Sequence, residues 1–565
     1  MGDSQARTSA NVADRLSKTA RQMPDVAAVI VQRAGFGGRM RYERHTFCEL
    51  DEDSTRIAQG LSRMGVGKGA RLALLVPPSY EFITLVFAIF KAGAIEILID
   101  PGMGRRNLLR CLAEAEPDGF VAIPAVHAVR RLFSRRFPRA RFNATVGRHW
   151  FLGETTLDDL RQAADGEKRP LPCVTDDDPA AIIFTTGSTG PPKGVLYRHG
   201  NFNRQVDEIR ERYQIQPGEI DLACFPLFAL FNSAMGVSTV IPDMDASRPA
   251  RVNPAHIIAA VMDLSVTQSF GSPAVWNRVG KCCQDHGARL PTLKRVLSAG
   301  APVPARVLAM MKACIHADGE VHTPYGATEA LPVATIAASE VLGETAARTD
   351  QGAGVCVGRQ FAGIEWRVIQ IVDGPIASIA GVEELPHGAI GELIVRGPVV
   401  TREYVTRREA NALGKIADGS SVWHRMGDAG YLDAQGRFWF CGRVAHRVRA
   451  AEGTMYTIPC EAIFNVHADV HRTALVGVGR AGQARPVIIV EPLAGHWPRS
   501  STARHKLLEQ ILALGKANAL TAPIDDFLIH RSFPVDIRHN AKIFREKLAV
   551  WAAKRLAGQV EPTNA

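Results

Sequence analysis

"RLALLVPPSYEFITLVFAIFKAGAIEILID", Arg71 to Asp100, admits two readings that lead to different proteins. Its second part, Phe82 to Asp100, is the most apolar stretch of the chain and resembles a membrane span. A span wants about twenty unbroken apolar residues, and Lys91, Gly93 and Glu96 interrupt this one. The better reading is a strand Arg71 to Val76, a helix Tyr80 to Lys91, a stop at Gly93 and a buried strand Ala94 to Ile99. A helix Arg105 to Ala115 and a strand Phe120 to Ile123 continue the alternation. Short apolar strands alternating with helices predict an α/β layer with mostly parallel strands.

The rest of the chain extends this picture. Its 565 residues predict roughly three or four folding units. With 46% apolar and 22% charged residues it has a globular composition. Strands ending in glycine turns recur at "TQSFGSP" near Thr267, "RVLSAG" near Arg295 and "GELIVRG" near Gly391. After about Gly442 the character changes. A polar, helix-poor segment is followed by a helix near Pro459 to His467, the strands "TALVGVG" and "PVIIVE", and a helix around Ala503 to Ala519. The expectation is an N-terminal domain over residues 1–441 and a small α+β lid domain over 442–565, hinged at Cys441 to His446.

Charge and cysteines bound the partners. None of the ten cysteines makes a CxxC pair or a metal spacing, which predicts reduced, mostly buried thiols in a cytoplasmic protein. The start of the chain, "MGDSQARTSANVADRL", has no apolar signal core. The net charge of +10 is compatible with nucleic acid, a membrane surface or an anionic substrate. No nucleic-acid motif is present. Much of the excess lies in "HAVRRLFSRRFPRARF", His127 to Phe142, where Val129, Leu132 and Phe133 stand at helical spacing. This predicts a helix with one face on the core, or else a surface for lipid or for a partner enzyme.

A further buried strand, "AAIIF" (Ala180 to Phe184), runs straight into "TTGSTGPPKG", Thr185 to Gly194. It is not a Walker loop, because Lys193 precedes its glycine and no Ser or Thr follows it. The physics of phosphate binding survives. Gly187, Gly190 and Gly194 permit a tight backbone that turns N–H groups inward. Thr185, Thr186, Ser188 and Thr189 add hydroxyls, and Lys193 adds a point charge.

"TTGSTGPPKG" resembles the phosphate loop of the adenylate-forming superfamily of acyl-CoA synthetases, luciferases and adenylation domains, and further motifs recur in family order. "SAGAPV" (Ser298 to Val303) is similar to the segment beside the adenine, which implicates Gly300, Ala301 and Pro302. "YGATE" is similar to the motif in which Tyr325 would stack on adenine, Thr328 would meet the α-phosphate and Glu329 would hold Mg²⁺. "HRMGDAGYLD" implies that Asp428 takes the ribose hydroxyls. Arg443 opens the hinge and joins the nucleotide-binding set, and "PVDIRHNAKIFREKL" puts Lys542 at the place of the mobile catalytic lysine. The resemblance implies an enzyme that uses ATP and Mg²⁺, with Lys542, Lys193 and Glu329 as its catalytic residues. Each role suits its residue type: an aromatic ring a purine face, a hard carboxylate Mg²⁺, a carboxylate two vicinal hydroxyls, an ammonium a developing phosphoryl charge.

The acyl-AMP so formed needs an acceptor. Ala229, Ala445 and Ala541 stand where thiol-transferring relatives commonly carry other residues. "IPDMDASRPA", "PYGATEALPVA", "FNVHADVHRTALVGVG" and "FPVDIRHNAKIFREKLAVWAA" together resemble the β-lactone synthetases of long-chain olefin biosynthesis. That resemblance implies adenylation of a β-hydroxy acid and ring closure by its own hydroxyl. A fatty acyl-CoA or acyl-carrier ligase is the alternative. A non-enzymatic lipid- or partner-binding scaffold fits poorly with Lys193, Glu329 and Lys542 all in place. His446 and His539 lie in relevant motifs but read as structural.

Overall fold

The computed structural model describes residues 9–35, 37, 39–147, 155–165, 169–185, 191–225, 230–535 and 543–558. The opening stretch forms a strand Arg71–Leu75, a helix Tyr80–Lys91 and a strand Ile95–Leu98. Ser79 caps the helix by accepting from the Phe82 N–H, and Gly93 turns the chain with φ of +66°. The helix is apolar all round because it is buried all round. Lys91, the charge that argued against a span, is buried too. Its ammonium donates to the Asp51 carboxylate and carbonyl and to Ser54 and Thr55, all between 2.6 and 2.8 Å, on the helix Phe47–Arg63. Among the described residues no helix is long and apolar enough to cross a membrane.

These strands belong to a seven-stranded sheet whose order runs Thr155–Thr156, Phe142–Thr145, Gly119–Ala122, Arg71–Leu75, Ile95–Leu98, Pro179–Phe184 and Gly194–Arg198. All neighbours are parallel except the last pair. A nine-stranded sheet has a parallel centre from Glu320–Ala327 to Ala27–Ala34 and antiparallel edges. A third sheet, containing Gly391–Arg396, Ser421–Leu432 and Phe438–Arg443, is antiparallel. The expected α/β class with mostly parallel sheets is therefore what the protein has. After residue 447 come a two-stranded sheet, a three-stranded sheet and helices Thr457–Asn465, Ser501–Lys516 and Arg545–Leu556, around cores of their own.

The basic segment departs from expectation. Its helix, Pro124–Leu132, gives way to a 3₁₀ turn at Ser134–Arg136. Leu132 is 78% and Val129 44% exposed, so neither packs on the core. His127 is the buried residue of the helix, while Phe133 and Phe137 reach the core after it ends. The helical spacing of Val129, Leu132 and Phe133 was real in sequence but did not mark the packed face.

Candidate active site

The strand Pro179–Phe184 and its antiparallel partner Gly194–Arg198 flank the segment "TTGSTGPPKG". The Thr185 N–H donates to the Lys193 carbonyl (3.0 Å), and the Lys193 N–H to Thr185 Oγ1 (3.3 Å). The Gly194 N–H donates to Thr406 Oγ1 at 2.7 Å, which ties this hairpin to a distant segment. Thr186, Ser188 and Thr189 lie outside the described residues, as do Lys542, Ala541, Ala229 and His539.

Lys193 meets Glu329 through a tyrosine. Its ammonium lies over the Tyr404 ring, 4.7 Å from the centroid. The Tyr404 hydroxyl donates to Glu329 Oε1 at 2.6 Å. The backbone of Glu329 is also clamped: Thr401 donates to its carbonyl through both N–H and Oγ1, each at 2.9 Å. Beneath them Lys415 is buried, donates to the Thr401 carbonyl and lies 5.7 Å from the Tyr404 ring centre. Burial lowers its ammonium to about 7, against the pull of Glu329. Thr328 is held by its carbonyl, which accepts from the Tyr197 hydroxyl at 2.5 Å.

A second cluster gathers Tyr325, Asp428 and Arg443. The Tyr325 hydroxyl donates to Asp428 Oδ2, and Arg443 Nη1 lies 3.0 Å from Asp428 Oδ1. Asp428 and Arg443 are register partners on adjacent antiparallel strands, which fixes their pairing. Burial raises the Asp428 carboxyl, and the Arg443 guanidinium opposes the shift. The Tyr325 ring packs at a tilt on Phe438, 6.1 Å between centroids. Gly300, Ala301 and Pro302 form the turn after the strand Arg295–Ser298, with Gly300 at φ of +94°.

One cleft of about 2460 Å³ joins the two clusters. Thr185, Lys193, Gly300, Ala301, Pro302, Tyr325, Thr328, Glu329, Asp428 and Arg443 all line it. The described residues chosen from sequence are thus brought together from five separate segments. Tyr404, Lys415, Thr401 and Tyr197 were missed. Their signal is weak: Tyr404 is a lone aromatic in the polar run "TREYVTRRE", and Lys415 a lone lysine before an ordinary strand. His446 Nε2 lies 3.2 Å from Glu546 Oε1 on the helix Arg545–Leu556.

A cleft lined by one cluster of hydroxyl, lysine and carboxylate groups and by a second, aromatic–carboxylate–arginine set suits a nucleotide and an acid. The chain belongs to the AMP-binding enzyme family, whose model matches residues 16–405. The olefin beta-lactone synthetase of Xanthomonas campestris pv. campestris is 46% identical to it over 98% of this chain and 100% of that one. The olefin beta-lactone synthetase of Stenotrophomonas maltophilia is 47% identical over 97% of this chain and 98% of that one. Among solved structures, an amide bond synthetase from Marinactinospora thermotolerans shares the fold, with TM-score 0.76, 22% identity and coverage of 96% of this chain and 99% of that one.

Proposed function

We propose that the protein adenylates a long-chain 2-alkyl-3-hydroxy acid with ATP and closes the product to a β-lactone, in olefin or β-lactone biosynthesis. The observation that carries this reading is the identity of 46–47% to two olefin beta-lactone synthetases over nearly the whole chain. The cleft supports the chemistry.

In the first step a carboxylate oxygen attacks the α-phosphorus of ATP, the bond to the bridging oxygen breaks, and pyrophosphate leaves. Lys193, Thr185 and the loop hydroxyls Thr186, Ser188 and Thr189 hold phosphate oxygens, and Thr328 orients the α-phosphate. Tyr325, with Gly300, Ala301 and Pro302, flanks the adenine. Asp428, preset by Tyr325 and Arg443, accepts from the ribose. Lys542 stabilises the charge that builds at phosphorus. Glu329 fits Mg²⁺, since Tyr404 holds one of its oxygens and leaves the other for a cation shared with phosphates. Bound there, the ion would neutralise phosphate charge.

In the second step the substrate's 3-hydroxyl attacks the acyl carbon, the bond from that carbon to the AMP oxygen breaks, AMP leaves, and the hydroxyl proton passes to solvent. The nucleophile is tethered to its electrophile, so closure needs no bimolecular encounter. The cleft's task is to exclude water that would hydrolyse the adenylate.

Residues 1–441 act as the main body and 442–565 as a lid turning about Cys441 to His446; separate cores on either side of the hinge support this. The enzyme works in the cytoplasm, a reading supported by ten cysteines that form no CxxC pair in the sequence. The basic helix, with exposed Leu132, serves as a contact for a membrane surface or for other enzymes of the pathway.

The test is incubation with ATP, Mg²⁺ and a long-chain 2-alkyl-3-hydroxy acid, with and without CoA, followed by NMR of the products. Lactone protons without CoA are expected. An acyl-CoA formed only when CoA is added, with no lactone, would mean a thiol ligase.

A further inference from the structure

Glu96 is the one residue of the opening stretch whose presence the fold does not explain. It sits in the middle of the strand Ile95–Leu98, between the parallel strands Arg71–Leu75 and Pro179–Phe184. Its residue exposure is 0%, and among the described residues neither carboxylate oxygen has a hydrogen-bond partner. Lys91, nearby in sequence, is satisfied by Asp51 and its neighbours, so it does not serve as a counterion. Leaving such a group unpaired is costly, and an apolar residue at this strand position would carry no such cost.

Glu96 also lines the cleft that holds Lys193 and Glu329. Its place there follows from register. Glu96 pairs with Ala181 and Leu98 with Ile183, on the strand that runs on into Thr185. Four residues separate the level of Glu96 from Thr185, about 13 Å at a strand's rise. Phe87, Phe90, Leu98, Ile183 and Phe202 pack in one apolar cluster, and all of them line the cleft. An alkyl chain whose carboxylate lies at the phosphate loop would reach Glu96 with its middle carbons.

We infer that Glu96 is a specificity residue of the alkyl-binding end of the cleft, placed to hydrogen-bond an oxygen substituent, a hydroxyl or a carbonyl, partway along the substrate's chain. The inference rests on the proposed function for the identity of the chain as an alkyl acid. Burial pushes the Glu96 carboxyl up to about 8, so near neutral pH it is a neutral group able both to donate and to accept. A plain methylene chain leaves it as unpaired as before, whereas an oxygen at the right carbon pairs it.

The experiment uses the full chain and long-chain 2-alkyl-3-hydroxy acids in matched sets: one with a plain alkyl chain, the others carrying a single keto group moved along that chain. Dissociation constants are measured by calorimetry, and lactone is followed by NMR in parallel with ATP present. One keto isomer is expected to bind roughly five- to tenfold more tightly than the plain acid, the value of one hydrogen bond. Glu96→Leu should lose that optimum while binding the plain acid at least as well, and Glu96→Gln, which keeps both donor and acceptor, should retain it. A flat profile in the unmodified protein, as an internal water on Glu96 would give, overturns the inference, and so does an optimum that survives in Glu96→Leu. Selective binding with no lactone would sink the proposed function and leave this site standing. Lactone from every isomer with a flat profile would do the reverse.

Discussion

Tyr404 shows how much of a site can depend on a residue with no motif of its own. Its hydroxyl fixes Glu329, its ring carries Lys193, and Lys415 lies below. Tyr404→Phe keeps the ring and removes the hydrogen bond. The expected result is an adenylation rate about tenfold lower at limiting Mg²⁺, with recovery as Mg²⁺ is raised, read as pyrophosphate release; equal curves for both proteins would mean that Tyr404 does not position Glu329. Lys542→Ala should lower the same rate by on the order of 10²–10³ while ATP still binds, since one well-placed transition-state donor is lost. Undiminished pyrophosphate release would remove Lys542 from the mechanism. The residues legible in sequence, Lys193, Glu329, Tyr325 and Asp428, sit in short linear motifs where neighbouring residues share one task. Tyr404 and Lys415 reach the site through strand register and long-range packing, which no local pattern records.

At the scale of elements, the helix Tyr80–Lys91 and the helix Arg105–Ala115 have the bounds that the sequence predicts. The reason is local: Ser79 caps the first and Gly93 ends the turn that follows it. The basic helix was read less well because its apolar residues face solvent, and only tertiary packing decides which side of a helix is covered. Gly93 allows a direct check. Its φ is +66°, and a Cβ added there would lie 2.7 Å from Cγ of Pro172. Gly93→Ala should therefore destabilise the protein by roughly 1–3 kcal/mol, combining backbone strain with overpacking. Chemical denaturation would show a lower midpoint, whereas an unchanged midpoint would mean that the turn relaxes freely.

At the scale of the whole molecule, buried ionisable groups couple stability to pH with opposite signs. Burial lowers His199 and His322 to about 4 from 6.5. Both are neutral in the folded chain, so their contribution is present above 6.5 and is lost as pH falls toward 4. Glu96 behaves in the other sense. Its ordinary value is 4.5 and its folded value about 8, raised by burial. Below 4.5 both states bind the proton. Above it the unfolded chain releases the proton while the folded chain keeps it, so stability falls as pH rises toward 8. Asp221 acts in the same direction up to about 7, and Lys415, held at about 7, acts against it at higher pH. Comparing the protein with Glu96→Gln cancels these other groups. Between pH 5.5 and 7.5 the unmodified protein should lose stability relative to Glu96→Gln by about 1.4 kcal/mol per pH unit, the slope of one proton. Urea denaturation of both proteins across that range measures it. Parallel curves would mean that Glu96 ionises in the folded chain with a partner or water beside it, and the neutral, hydrogen-bonding carboxyl inferred for the alkyl end of the cleft would have to be given up.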